Sequence, residues 1–198
     1  MTSLQYKAGF VFRLKYLNPN KETELAEFLR TKRGIRRHRF MHSTIRNFHQ
    51  VNSWLYRGGQ PTREQIEDLA KKGVRTIVCL RWGQKTIEAE KGAVLASGMD
   101  FISVPLYYWR FPTRQDIDTF FNLLDSMPAR PVFVHCFHGS DRTGLLLAMY
   151  RIARENWTVH EAYREMEKFG FHRFRLRHFK WILFNYAKRH AATRAPMR

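Results

Sequence analysis

Cys136 and Arg142 are the two residues whose types and spacing point most directly to chemistry. Five residues stand between them, in the stretch Val132-Phe-Val-His-Cys-Phe-His-Gly-Ser-Asp-Arg-Thr-Gly144. A cysteine attacks as the thiolate, and its ordinary pKa of about 8.5 falls to about 3.5–7.5 beside cations or a helix N-terminus. An arginine presents a planar fork that can hold two phosphate oxygens at once. The pair therefore suggests a sulfur nucleophile aimed at the phosphorus of a bound phosphate.

That chemistry requires a particular frame. Val132 to Val134 is an apolar run that reads as a buried strand, and Leu145 to Met149 reads as a helix. The loop between them is short enough to turn its backbone N–H groups inward. It then forms an anion nest backed by the positive end of the helix dipole. The expected phosphate contacts come from Phe137, His138, Gly139, Ser140, Asp141 and Arg142, and Gly139 lets the backbone approach the anion closely.

This strand–loop–helix motif resembles the Cys-x5-Arg-Thr-Gly signature of the protein-tyrosine and dual-specificity phosphatase superfamily. The segment Leu55-Tyr-Arg-Gly-Gly-Gln-Pro61 is similar to the start of its small bacterial branch, and the resemblance runs from about Val51 to about Gly170. It implies one α/β domain with a central, mostly parallel sheet flanked by helices. It also implies hydrolysis in two steps without metal or other cofactor. Cys136 forms a phosphocysteine that water then cleaves, while Arg142 and the loop amides hold the equatorial oxygens. By the same resemblance, Thr143 hydrogen-bonds the sulfur and His135 orients the loop.

The general acid is the open question. The superfamily usually supplies an aspartate from a separate loop, and the matching stretch, Val104 to Pro112, has none. Asp116 lies near in sequence but suits a helix cap. Asp141 lies inside the signature, and Gly-x-Asp-Arg-Thr resembles the lipid-directed branches, in some of which that aspartate gives the proton. Asp141 is the preferred acid, since reach decides such a role before pKa does. Arg110 stands where the acid is expected and suggests a second anion contact. The substrate is then a phosphotyrosine or phosphoprotein, or a molecule with several phosphates such as a phosphoinositide or inositol phosphate. Two alternatives remain: an RNA 5′-triphosphatase, or a pseudo-phosphatase that binds phosphate and turns it over slowly. Cys79 reads as a core thiol, with a protective disulfide to Cys136 as the other possibility.

Composition sets the bounds. A chain of 198 residues suits one sizeable core plus extensions. The formal net charge of +18 favours phosphorylated partners without choosing among them. Two cysteines make no disulfide framework, and a catalytic thiol fits a cytoplasmic setting. No apolar run reaches the length of a membrane span. Residues 1–50 form a basic extension with a helix over Lys21 to Arg33. The basic run Lys32 to Phe40 and the basic terminal segment are possible polyanion contacts. Residues 51–190 form the phosphatase-like domain and 191–198 a tail. Within the domain, strands are expected over Val51 to Tyr56, Val74 to Leu80 and Asp100 to Val104. Helices are expected after Thr62, from Gln84, after Thr113, over Leu145 to Glu155, after Thr158, and over Arg173 to Arg189.

Overall fold

A computed structural model describes residues 44–126 and 131–194 of the chain. The expected helix over 21–33 and the basic run over 32–40 lie outside the described residues. The described part begins with two strands, β1 (His49–Gln50) and β2 (Leu55–Gly58). It continues through α1 (Arg63–Lys71), β3 (Thr76–Cys79), α2 (Gln84–Ala96), β4 (Asp100–Ser103), α3 (Arg114–Ser126) and β5 (Val132–His135). Three helices complete it: α4 (Asp141–Arg154), α5 (Val159–Lys168) and α6 (Arg177–Arg194).

The strands form one sheet in the order β1-β2-β5-β3-β4. β1 pairs antiparallel with β2, and every other pairing is parallel. β5, the strand that leads into the signature loop, is thus central. Its burial on both faces explains its unbroken apolar run. Successive residues of β5 face opposite layers. Val132, Val134 and the following Cys136 join the larger core with Leu145, Leu146, Phe120, Phe179 and Leu183. Phe133 joins Ile66, Leu69, Ile77 and Val94, so α1 and α2 cover the second face.

Local chemistry sets most element ends. Thr62 and Thr158 each close a capping box, with Gln65 and Glu161 respectively, at the starts of α1 and α5. Thr113 accepts from Asp116 N at 3.2 Å, and Asp116 Oδ2 accepts in return from Thr113 N at 2.8 Å.

Apart from shifts of one or two residues at the ends of β3, β4 and α4, three boundaries differ from the sequence reading. Of the strand expected over Val51 to Tyr56, only Leu55 and Tyr56 lie in a strand, β2, because Asn52 Oδ1 accepts from Trp54 N and Leu55 N and folds the residues before them into a turn. The helix expected from Leu145 begins at Asp141, so Arg142, Thr143 and Gly144 occupy its first turn. The last helix starts at Arg177 rather than Arg173 and runs to Arg194. The preceding segment turns back on itself, with Leu176 N donating to His172 O at 2.8 Å. Among the described residues, no helix is long and apolar enough to cross a membrane.

Candidate active site

Cys136 to Ser140 bridge the carboxyl end of β5 and the N-terminus of α4, where parallel sheets of this kind present ligand sites. The carbonyl groups of this loop are turned outward, each by an identifiable donor. Phe137 O accepts from Gln60 N at 3.1 Å. His138 O accepts from Asn47 Nδ2 at 3.0 Å, and Gly139 O accepts from a guanidinium N–H of Arg57 at 2.8 Å. With those oxygens held outside, the amide N–H groups are left to the inner side, as an anion nest requires. Gly139 has φ +74°, and a Cβ there would lie 2.3 Å from the backbone carbon of Gly58. Only glycine meets both conditions.

Cys136 is fully buried as a free thiol at the base of this loop. Arg142, 3% exposed, is fixed by one N–H group that lies 3.3 Å from both Leu80 O and Leu106 O. Its guanidinium carbon lies 4.4 Å from the centre of the Tyr108 ring. Its Nε, like Ser140 Oγ and Thr143 Oγ1, is buried with no hydrogen-bond partner among the described residues. Buried donors rarely stay unsatisfied, and all three belong to the signature loop or the first turn of α4.

Two supports of the loop were not singled out from the sequence. Arg57 is fully buried, with its guanidinium carbon 3.9 Å from the centre of the Phe169 ring and a nitrogen 3.9 Å from Glu165. Burial lowers its pKa to about 10, against the opposing pull of Glu165. A lone arginine in the otherwise strand-like Leu55 to Gly58 was the available signal. Asn47 holds a left-handed backbone (φ 54°) and also donates to Phe169 O at 3.1 Å. It precedes every recognisable motif, so nothing in its sequence context marked it.

His135 faces away from the nest. Its Nε2 lies 2.7 Å from Glu90 Oε1, and its Nδ1 lies 3.2 Å from Cys136 O. Burial opposes its charge, but Cys79 and Glu90 outweigh that and push its pKa up to about 10. Cys79 pairs in register with His135, and its Sγ lies 3.8 Å from Glu90 Oε2. By strand alternation Cys79 therefore shares the face of His135, opposite that of Cys136. This arrangement favours the core-thiol reading of Cys79 over a disulfide to Cys136.

The candidate acids are placed differently from one another. Asp116 Oδ2 accepts from Thr113 and lies 3.2 Å from Arg110, and these hydrogen bonds and the charge hold its pKa low despite partial burial. Arg110, paired with Asp116 and 5.3 Å from the Tyr107 ring centre, is not among the residues that line the cavity over the loop. Asp141 is 2% exposed. Its Oδ1 accepts from His172 N at 3.0 Å, and His172 Nδ1 lies 3.0 Å from its Oδ2.

A cavity of about 570 Å³ opens over the loop. Phe137, His138, Asp141 and Arg142 line it from the motif, with Tyr108 beside them. Arg81, Trp82, His172 and Arg175 are also in its wall. Arg81 has its guanidinium carbon 5.1 Å from the Phe137 ring centre and donates to Gln60. Among the described residues no acidic side chain is paired with Arg81 or Arg175.

Residues 20–181 match the model of a family described as a DSP-PTPase phosphatase fused to NAD+ kinase. The dual specificity protein phosphatase TpbA of Pseudomonas aeruginosa strain UCBPP-PA14 is 29% identical over 126 residues, covering 63% of this chain. The chain spans 55% of the length of that relative. Among solved structures, TpbA in complex with pTyr superposes with a TM-score of 0.59 at 23% identity, covering 73% of this chain and 90% of the other. The catalytic core of the PP-IP phosphatase Siw14 from S. cerevisiae gives 0.61 at 22% identity, covering 76% and 95%. These similarities establish the cysteine-phosphatase fold.

Proposed function

Since this chain belongs to the family of DSP-PTPase phosphatase domains fused to NAD+ kinase, we propose that it is a cysteine-dependent phosphatase that hydrolyses phosphate monoesters through a phosphocysteine. The observation that carries this reading is the outward fixing of three consecutive carbonyls, those of Phe137, His138 and Gly139, around a buried cysteine. The nest is thus built before a ligand arrives, and its donors need no reorganisation as charge develops in the transition state. Cys136 attacks phosphorus and the leaving oxygen departs with a proton. Arg142 and the amides of residues 137 to 142 follow the equatorial oxygens. In the second step Thr143 assists departure of the sulfur, and His135 keeps the strand end in place.

The leaving oxygen takes its proton from a side chain that lines the cavity, where Asp141 is the one carboxylic acid among the described residues. The substrate carries more than one anionic group. Arg81 and Arg175 support this reading, because they face the cavity without acidic partners among the described residues, a role the sequence had suggested for Arg110. Siw14, described as a PP-IP phosphatase, and TpbA, described in complex with pTyr, frame the choice. The expected preference is for a multiply phosphorylated inositol over a phosphotyrosine peptide.

Turnover of inositol polyphosphates, phosphoinositides, phosphotyrosine peptides and 5′-triphosphorylated RNA, for wild type beside Cys136→Ser, tests both parts. Activity on any substrate that survives in Cys136→Ser contradicts the mechanism. A kcat/KM for the phosphotyrosine peptide above that for every inositol phosphate contradicts the substrate preference.

A further inference from the structure

We propose that His172 is the general acid of this site, positioned by Asp141 behind it. The inference rests on the phosphatase reading and deepens it. The general acid must protonate the leaving oxygen, so it must line the cavity and present a titratable atom there. Among the described residues, and leaving the arginines aside, the cavity-lining side chains that can serve as an acid are Tyr108, His138, Asp141 and His172.

Three of them are poorly suited. Burial pushes the Tyr108 pKa up, and its ring lies against Arg142. Burial and the nearby Arg46 push the His138 pKa down, and its ring packs against Phe137 with the centroids 4.6 Å apart. Asp141 is buried, and both its oxygens are engaged by His172, Oδ1 from the backbone N–H at 3.0 Å and both from Nδ1 at 3.0–3.1 Å.

His172 has what the others lack. Its side chain is about half exposed, at 49%, and it lines the cavity. Asp141 occupies Nδ1, which fixes the tautomer and leaves Nε2 as the atom that exchanges protons with the cavity. This is the base–orienter arrangement of a carboxylate–histidine pair, here serving an acid. The segment carrying it is anchored on both sides, since Phe171 and Leu176 are buried and Phe171 N donates to Met166 O at 3.1 Å. The motif aspartate and a histidine 31 positions later are thus brought together.

The step balances as follows. Cys136 sulfur forms its bond to phosphorus, the phosphorus–oxygen ester bond breaks, and the leaving oxygen takes the proton from His172 Nε2. Neutral imidazole then accepts a proton from the water whose oxygen attacks phosphorus, and the sulfur leaves as thiolate. Charged or titratable groups facing His172 are Asp141 and Arg142 from α4, His138 from the loop, and Arg81, Tyr108 and Arg175 around the cavity. Glu167 and Arg173 lie on its other side.

The test compares phenyl phosphate with 4-nitrophenyl phosphate for wild type, His172→Gln and Asp141→Asn. A well-placed general acid contributes about 10²–10⁴-fold, and a good leaving group hardly needs it. In His172→Gln the expected loss on the phenyl ester is about 10²-fold and at least tenfold larger than on the nitrophenyl ester. The alkaline limb of the kcat profile for the phenyl ester should disappear. Asp141→Asn should show the same leaving-group bias to a smaller degree. A phosphocysteine burst on the nitrophenyl ester must persist in His172→Gln. With that burst intact, equal losses on both esters, or an unchanged pH profile, overturn the proposal while the phosphatase reading stands. Absence of a burst in wild type overturns both.

Discussion

The guanidinium of Arg57 donates to the carbonyl oxygen of Gly139 at 2.8 Å from a fully buried position in β2. This one bond links a strand near the start of the described fold to the tightest turn of the phosphate loop. It also places a cation behind the nest, where no substrate contact is needed. Arg57→Met should leave a buried carbonyl unpaired, at a cost of about 1–3 kcal/mol in stability. Vanadate affinity should fall with it, because the loop loses the tether that turns Gly139 O outward. Denaturant melts and vanadate titration check both. A variant of wild-type stability and affinity would contradict the account of the loop.

Gly139→Ala should be far more damaging than its single methyl suggests. The added Cβ would meet the Gly58 backbone at 2.3 Å and the Gly59 nitrogen at 2.5 Å, at a φ of +74°. Neither backbone can step aside without opening the β2–β5 pairing. The expected result is loss of phosphate binding together with a lower melting temperature. Gly73→Ala is the control: it shares a positive φ, but nothing lies within 4 Å of its Cβ, so it should cost about 1 kcal/mol from backbone strain alone and spare activity.

Stability should fall as pH rises above neutrality, through His135. The ordinary histidine pKa is about 6.5 in an unfolded chain. In the fold it is about 10, so the native state holds the proton more tightly. The contribution is then complete below about pH 6.5 and is lost as pH climbs towards 10. Glu90→Gln removes the carboxylate 2.7 Å from the ring and should flatten that dependence. Thermal melts from pH 6.5 to 10 decide it, and parallel curves for the two proteins would contradict the pairing.

Reversing the charge at Arg175 should separate substrates. Arg175→Glu is expected to raise KM for an inositol polyphosphate about tenfold, the size of one modest charge contact of about 1.4 kcal/mol. KM for 4-nitrophenyl phosphate should move much less. Arg110→Glu should do little to either, because Arg110 pairs with Asp116 outside the cavity. Steady-state kinetics on the two esters check this, and equal KM changes would count against a second anion subsite.

The strand–loop–helix around Cys136 was legible because each part carries its own signal: an apolar strand, a glycine in the turn, and a long apolar helix. The capping boxes at Thr62 and Thr158 were equally legible, since their partners lie three residues away. What could not be read are the long-range partners. Asn47 reaches His138 across 91 positions and Arg57 reaches Gly139 across 82, and no local pattern encodes such pairings. Asp141 was visible as an acid inside the motif, but its engagement by His172 depends on how the chain turns after Gly170. The start of α4 was misplaced for a related reason. The polar residues Asp141 to Thr143 look like loop, yet tertiary burial and the anion nest draw them into the helix.

Trapping phosphorus on sulfur is the most direct test of the central claim. Wild-type protein should be mixed with ³²P-labelled aryl phosphate, quenched in acid within the burst, digested, and mapped by mass spectrometry. The account predicts a single labelled phosphopeptide bearing the label on Cys136, and none in Cys136→Ser. Rapid turnover with no label on Cys136, or label elsewhere in the chain, would contradict it.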